Sequence, residues 1–174
     1  MKDMKAKTLL SAMAALLIAN VQAMAQNNEA RVLVAYFSAT GTTAQAAAKL
    51  ADMTGGDLYA ITPERPYTSA DLDWHDRQSR SSVEMNDPKS RPALAGKPLD
   101  TADYTVIYIG YPIWWDLAPR IINSFIESHD LKGKTIVPFA TSGGSSIGNS
   151  VKSLKADYSD LNWAEGKLLN GSGR

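Results

Sequence analysis

Two stretches of the chain are almost continuously apolar. RVLVAYF at 31–37 and YTVIYIGY at 104–111 are both rich in β-branched and aromatic residues. Strands of this kind are usually buried on both faces, as in a parallel sheet that is covered by helices. Further strands are predicted for DLYAI at 57–61, for KTIVPFA at 134–140 and, more weakly, for NWAEGKLLN at 162–170.

Helical patterns separate these strands. Residues 43–53 place small alanines on one face and end at a Gly-Gly pair, which is a typical stop signal. Asp116 is a plausible N-cap for a second helix. Apolar residues at helical spacing predict this helix and a third one: Ala118, Ile121, Ile122 and Phe125, then Ile147, Val151, Leu154 and Tyr158. The segment 69–85 is polar and only moderately helical.

Because strands and helices alternate, the pattern predicts an α/β domain with a parallel sheet. One residue does not fit a regular strand. Pro138 has no N–H to donate to a central ladder, so we expect a bulge or an irregular strand end at this position.

The first 25 residues have the pattern of a secretory signal peptide. Lys2, Lys5 and Lys7 precede the apolar stretch LLSAMAALLIA, and AMA at 23–25 resembles a cleavage site. The pattern predicts an exported, periplasmic domain of residues 26–174 that keeps no stable membrane anchor after cleavage. The alternative is an N-terminal membrane anchor, for which the apolar stretch is short.

Composition narrows the possible chemistry. The chain has no cysteine, so an exported form has no disulfide or dithiol, and redox work would need a bound cofactor. The 18 basic and 18 acidic residues become 15 and 17 when Lys2, Asp3, Lys5 and Lys7 are removed with the signal peptide. This balance predicts no nucleic-acid binding.

The two histidines do not predict a metal site, because neither has cysteine or histidine partners at ligand spacing. His129 lies near the end of a predicted helix, where a cation is mildly favourable. His75 has two possible roles, as a solvated surface residue or as a proton donor near a cofactor. No Ser-His-Asp or paired-carboxylate arrangement occurs, so no catalytic residue is predicted.

Three unusual loops each follow a predicted strand: SATGTT at 38–43, YPIWWD at 111–116 and TSGGSSIG at 141–148. Parallel strands bring these loops to one edge of the sheet, where ligands bind in such folds. In the first loop, a helix start near Thr42 and several hydroxyl groups favour a phosphate held without positive charge. The alternative is a Ser/Thr helix cap with no ligand.

The other two loops favour a planar ligand. Trp114 and Trp115 point in different directions, so one can fill the core while the other lines a pocket or stacks on a ring; core packing alone is the alternative. Gly143 and Gly144 leave backbone N–H groups open to the polar edge of a ring, or form a plain turn.

Together the loops resemble those of the flavodoxin family over residues 31–170, and most closely the branch with a PIWW-type loop. The resemblance implies a three-layer α/β/α fold, a five-stranded parallel sheet of order 2-1-3-4-5, and FMN as cofactor. It implies that the phosphate is held by Ser38, Thr40, Gly41, Thr42 and Thr43. The flavin ring would be contacted by Pro112, Ile113, Trp114 and Trp115, and its polar edge by Thr141, Ser142, Gly143 and Gly144. Additional candidates for the site are Ser146, Gly148 and Tyr67. Tyr67 is alternatively a surface turn residue.

The resemblance implies an electron carrier that works with a redox partner protein or a small electron acceptor. One alternative is an FMN-dependent NAD(P)H:quinone or flavin reductase, and another is a flavodoxin-shaped binding module without FMN. Three features differ from the usual pattern of the family. Many members stack a tyrosine of the last loop on the flavin ring, and TSGGSS contains none. The surface is nearly neutral, and no further helix follows the fifth strand in this sequence, which predicts an incompletely covered sheet face.

Overall fold

The computed structural model describes residues 30–170. The predicted signal peptide and the predicted mature start at Gln26 therefore lie outside the described residues. Strands and helices alternate along the chain. They are β1 (Arg31–Tyr36), α1 (Thr42–Thr54), β2 (Asp57–Ala60), α2 (Arg80–Asn86), β3 (Tyr104–Pro112), α3 (Arg120–Ser128), β4 (Thr135–Thr141), α4 (Gly148–Asp157), β5 (Asn162–Trp163) and β6 (Lys167–Leu168).

All strand pairs are parallel, and the order across the sheet is β2-β1-β3-β4-β5, which confirms the predicted order. The predicted fifth strand is divided into β5 and β6, and both pair with β4. Strand β3 lies at the centre and is buried along most of its length. Its continuous apolar run follows from this position, because both faces of a covered parallel sheet are buried.

Helices cover both faces of the sheet, as the three-layer prediction requires. Side chains of the central strands alternate between two cores. One core contains the apolar face of α3, including Ile121 and Phe125, together with Leu154 of α4. The other contains Ala46, Ala47 and Ala51 of α1. These small alanines let α1 lie close to the strands.

The helix predictions are confirmed in position but not in every detail. Asp116 does not cap α3, since the residue before this helix is Pro119 and Asp116 lies in a tight turn with a φ of 61°. In the polar segment 69–85, only the last part is helical, as α2, and turns precede it. Within residues 30–170, the helices are too short or too polar to span a bilayer.

The prediction for Pro138 is wrong for its own strand, because β4 continues through it and pairs with β3. The irregularity lies in the neighbouring strand. The carbonyls of Ile136 and Ala140 accept hydrogen bonds from Ala164 and Leu169, so the nitrogen of Pro138 faces the break between β5 and β6. A proline is tolerated there because no acceptor at the break requires its missing N–H.

On the face that α1 covers, an aromatic ring lies directly over the sheet. Phe139 is 1% exposed, and a Cβ atom added to Gly110 of the adjacent strand would overlap its ring. Glycine at position 110 thus allows Phe139 to pack flat against β3. This packing helps to bury the face of the sheet that α1 covers.

We predict that Gly110→Ala destabilises the protein by about 1–3 kcal/mol, because the ring must leave its position to admit the methyl group. Urea unfolding measures this change. Phe139→Leu removes the obstacle, so the double variant should lose less stability than the two single losses combined.

Gly148→Ala is a matched control. The nearest atom to its added Cβ is the Ser146 hydroxyl at 3.8 Å, which is ordinary contact, and alanine favours a helical position. Equal stability changes at positions 110 and 148 would contradict the role assigned to Phe139.

Candidate functional site

The loop between β1 and α1 leaves the start of the helix without a side-chain cap. Gly41 has a φ of 96°, a conformation that favours glycine, and the Ser38 hydroxyl accepts a hydrogen bond from its N–H at 3.1 Å. The first backbone bond of the helix runs from the Gln45 N–H to the Gly41 carbonyl. In the described part of the chain, the N–H groups of Thr42, Thr43 and Ala44 have no acceptor.

The structure contradicts one of the two interpretations of the loop, the Ser/Thr cap. A Ser/Thr cap would satisfy the first N–H groups of the helix with a hydroxyl oxygen, and no such bond is present. The free N–H groups and the positive end of the helix dipole instead suit an anion. Thr40 and Thr42 are exposed beside them, and neither lysine nor arginine occurs in this loop.

Thr43 differs from its neighbours because its hydroxyl is already paired. It is 2% exposed, and its Oγ1 atom lies 2.8 Å from Oγ1 of Thr141, which is 3% exposed. The hydroxyl of Thr43 thus joins the first loop to the end of β4. Its backbone N–H remains available at the helix start.

The loop after β3 turns sharply at its tryptophans. Trp114 and Leu117 exchange two backbone hydrogen bonds of 2.9 Å, and the two residues between them, Trp115 and Asp116, have φ values of 48° and 61°. Such values at both central positions define a type I′ turn, which is unusual without glycine or asparagine. The turn holds Trp115 at its tip with 48% of its surface exposed.

The two tryptophans have different environments, as the sequence predicts. Trp114 is half-buried, and its ring lies edge-on to Phe37 at 5.6 Å and to Tyr67 at 5.5 Å between centroids. Phe37 and Tyr67 are 5.6 Å apart, so the three rings form one aromatic cluster. Trp114 therefore contributes to the core, and Trp115 is exposed at the tip of the turn.

Tyr67 is not a surface turn residue, because it belongs to this cluster. Its hydroxyl donates to Glu84 at 2.5 Å. Burial and the carboxylate of Glu84 raise the pKa of Tyr67 well above its ordinary value, so the phenol stays neutral. Its ring backs Trp114, which places it beside the candidate site.

The loop after β4 is more self-contained than the sequence predicts. The hydroxyl of Ser142 accepts hydrogen bonds from the N–H groups of Gly144, at 3.1 Å, and Ser145, at 2.7 Å. The N–H of Ser142 donates to the side chain of Asn170 at 2.8 Å. The prediction of freely exposed N–H groups is therefore wrong for Gly144, whereas the Gly143 N–H has no acceptor among the described residues.

The glycines of this loop keep space open. A Cβ atom at Gly143 or Gly144 would meet nothing within 4 Å, and neither residue has a positive φ. Neither crowding nor backbone strain requires glycine here, so a side chain would project into the open space beside the loop. Ser146 and Gly148 are exposed at the end of the loop and at the start of α4, respectively.

Thr141 connects the three loops. Its hydroxyl contacts Thr43, its carbonyl accepts from Ile113 N–H at 2.9 Å, and its backbone pairs with Pro112. The structure thus brings the predicted residues of all three loops to one edge, with Tyr67 joined to them through Trp114. A second buried bond, of 3.0 Å between the hydroxyls of Tyr111 and Ser150, ties the end of β3 to α4.

Sequence reasoning missed the residues that support the loops. Asn170 and the pair Arg80–Glu84 carried no recognisable signal except the i,i+4 spacing of that pair. The sequence pattern places Phe37 in a strand and predicts no role for it in the site. Among residues 30–170, no cluster of three or more possible metal ligands occurs.

The prediction for His129 is wrong. Its Nε2 atom accepts the Leu99 N–H at 3.0 Å, and its Nδ1 atom lies 2.8 Å from the Phe125 carbonyl. The first bond requires an unprotonated Nε2, and burial lowers the pKa of His129 below its ordinary value of 6.5. The helix end therefore holds a neutral imidazole and not a cation. His75 is exposed and stacks on Trp74.

A family model described as flavodoxin matches residues 31–174. A candidate flavoprotein of known structure from Bacteroides eggerthii DSM 20697 is 70% identical, with 82% of this chain and 89% of that chain covered and a TM-score of 0.80. A second, from Bacteroides uniformis ATCC 8492, is 60% identical, with 84% and 94% covered and a TM-score of 0.82.

A more distant structure is that of a flavoprotein in complex with FMN from Lactobacillus acidophilus NCFM. It is 20% identical, with 80% of this chain and 93% of that chain covered and a TM-score of 0.66, which shows a common fold. No curated protein matches the chain at a significant level.

We predict that His129 makes the stability of the protein depend on pH. Because the folded-state pKa is lowered, the unfolded chain binds the proton more readily. The free energy of unfolding should be constant above the ordinary pKa and fall as the pH drops through it. Urea unfolding of wild type and His129→Gln between about pH 7.5 and about pH 5 measures this, and the variant should lose most of the dependence.

His75→Gln is the matched control and should keep the wild-type pH dependence, since His75 is exposed. An unchanged profile in His129→Gln would mean that the neutral form of His129 is not required by the fold.

Proposed function

Since the chain belongs to the flavodoxin family, we propose that it binds FMN and works as a redox protein that passes electrons through this flavin. When bound, the flavin supplies one- or two-electron chemistry, and the protein supplies binding, orientation and electrostatics. The uncapped start of α1 carries the proposal, because it offers N–H groups to an anion at the edge where the three loops meet.

The residues of the first loop suit a phosphate dianion. The N–H groups of Thr42, Thr43 and Ala44 would donate to it, as would the exposed hydroxyls of Thr40 and Thr42. Ser38 would shape the loop, because its hydroxyl already holds the Gly41 N–H. Neutral donors are sufficient at a helix start, since hydrogen bonds to a charged acceptor are the strong ones.

The other two loops suit a flat ring. Trp115 would meet the ring from the tip of its turn, and Trp114 would support this turn from the aromatic cluster. Gly143 would offer its N–H to a polar edge, and the absence of side chains at Gly143 and Gly144 keeps the approach open. Thr141 would fix the spacing between the phosphate and ring regions.

We favour an electron carrier over a reductase. A carrier needs the flavin edge open to a redox partner protein or a small acceptor, and Trp115, which would meet the ring, is 48% exposed. The three loops leave few other residues at this edge to shape a separate substrate pocket. The low net charge between residues 26 and 174 implies little long-range steering of a partner.

Export to the periplasm is also part of the proposal. It rests on the basic, apolar and small-residue pattern of residues 1–25, which lie outside the described residues. Residues 1–25 contain no twin arginine, which favours export of an unfolded chain. The protein would therefore acquire FMN after export.

We predict that Thr40→Ala weakens FMN binding more than riboflavin binding. A lost hydrogen bond to a charged group costs about 1.5–3 kcal/mol, which is about tenfold to about a hundredfold in Kd. Riboflavin has no phosphate, so the affinity for riboflavin should change little. Titration of the flavin-free protein with each ligand, followed by absorbance and flavin fluorescence, measures both constants.

Thr105→Ala is the control, because Thr105 is exposed near the amino end of β3, at the opposite edge of the sheet. Trp115→Ala should weaken the binding of FMN and of riboflavin to a similar degree. Equal losses of FMN and riboflavin in Thr40→Ala would show that the loop does not contact the phosphate, and no binding of FMN by wild type would overturn the proposal.

We expect the FMN-loaded protein to be reduced slowly by NADH or NADPH and to exchange electrons rapidly with a redox protein. Stopped-flow absorbance, with and without a quinone, measures these rates. Fast reduction by a nicotinamide with many turnovers and no partner protein would instead establish a reductase.

A further inference from the structure

A partly buried carboxylate lies behind the aromatic cluster. Glu84 of α2 accepts a hydrogen bond from the Tyr67 hydroxyl at 2.5 Å and another from Nε of Arg80 at 2.6 Å. The side chains of Arg80 and Glu84 are each only 12% exposed. Such a shielded pair is less screened by solvent than a surface ion pair, so its geometry is held more firmly.

Arg80 holds Tyr67 in a second way. Its guanidinium lies over the Tyr67 ring, 3.8 Å from the centroid, and also donates to the carbonyl of Arg65 at 2.6 Å. The ring of Tyr67 is thus fixed through its face, and its hydroxyl is fixed through Glu84. A planar cation over an aromatic face is a favourable contact in itself.

Tyr67 transmits this restraint to the site. Its ring packs edge-on against Trp114, and both rings contact Phe37. Trp114 is the first residue of the turn that presents Trp115. Since two residues of this turn have positive φ values without being glycine, the backbone alone does not favour the turn, and packing of Trp114 must help to hold it.

We propose that Arg80 and Glu84 are positioning residues that lock Tyr67 against Trp114 and thereby hold the turn 114–117 in the shape that receives the flavin ring. The inference rests on the proposed function, because it names residues that act on the same FMN site. Neither residue belongs to the three loops that would contact the flavin. Their effect passes through two aromatic side chains.

The chain offers a matched control for this lock. Glu127 of α3 accepts hydrogen bonds from Nε of Arg91 at 2.9 Å and from the Tyr158 hydroxyl at 2.7 Å, so the chemical groups are the same. Tyr158 follows the end of α4, and the start of α4 is the part that faces the site. The second cluster therefore repeats the bonding at the far end of that helix.

The experiment compares Glu84→Ala with Glu127→Ala. We expect Glu84→Ala to weaken FMN and riboflavin alike by about tenfold, because the ring region and not the phosphate region is disturbed. Tyr67→Phe should act in the same direction, and Glu84→Gln should recover part of the affinity because its amide oxygen still accepts one bond. Glu127→Ala should leave both affinities unchanged.

A flavin-free readout separates this inference from the proposed function. In the protein without flavin, near-ultraviolet circular dichroism should lose the Trp114 contribution, identified with Trp114→Phe, in Glu84→Ala but not in Glu127→Ala. If wild type binds no FMN, the proposed function fails, and this signal still decides whether the lock exists. If Glu84→Ala does not fold, Tyr67→Phe and Glu84→Gln supply the comparison.

Any of three results would overturn the inference. One is equal flavin affinity in the Glu84 and Glu127 variants while wild type binds FMN. Another is an unchanged Trp114 signal in both Glu84→Ala and Tyr67→Phe. A loss of FMN affinity with riboflavin unaffected would also contradict it, because this pattern belongs to the phosphate loop.

Discussion

One buried residue, Thr141, fixes the arrangement on which the candidate site depends. Its hydroxyl pairs with that of Thr43 across 98 positions of the chain, and its carbonyl accepts the Ile113 N–H. The two hydroxyls are buried, so each would be left unsatisfied if the other were removed. Parallel strands place the loops at one edge, and this residue sets the distance between the helix start and the turn after β3.

The same edge shows how backbone donors stay open beside hydroxyl groups and without a lysine or arginine in the loop. In the first loop, hydroxyl groups leave the helix start open, because Ser38 bonds to Gly41 and Thr43 bonds to Thr141. In the loop after β4, Ser142 instead uses its hydroxyl to fold its own loop. Serine and threonine therefore mainly shape these loops, and backbone N–H groups remain as the donors. Pre-formed donors of this kind lose little entropy when a ligand binds.

The sequence predicts the parts of the molecule that depend on local pattern. Apolar runs and helical spacing identified the strands and three of the helices, and the family resemblance supplied the sheet order, which the structure confirms. Contacts between distant residues escaped prediction. Glu84 with Tyr67 and Asn170 with Ser142 are joined over 17 and 28 positions, and no local pattern marks such pairs.

The wrong predictions for His129 and Asp116 have the same origin. For His129, the end of a helix favours a cation in isolation, but burial and the Leu99 N–H favour the neutral ring. For Asp116, the position shortly before a predicted helix indicates an N-cap, but the residue lies in the turn after β3 instead. In both cases, tertiary contacts override a local preference that is worth only about 1 kcal/mol.

The division of the fifth strand shows how an irregularity can serve the site. Asn162 pairs with Thr135 at an offset of 27 positions, whereas Lys167 pairs with Phe139 at an offset of 28, so the fifth strand carries one extra residue between β5 and β6. A one-residue shift changes which side chain lies at each position along the partner strand. At an offset of 27, Leu169 would stand opposite Ser142.

With the extra residue, Asn170 stands there instead, and its side-chain oxygen accepts the Ser142 N–H. The bulge is possible beside Pro138 because proline has no backbone N–H that would need an acceptor at the break. Glycine suits position 166 as well, since a Cβ atom there would come within 2.8 Å of the side chain of Val151. Pro138, Gly166 and Asn170 therefore act together: the first two admit the bulge, and the bulge delivers the third to the loop that would meet the polar edge of the flavin.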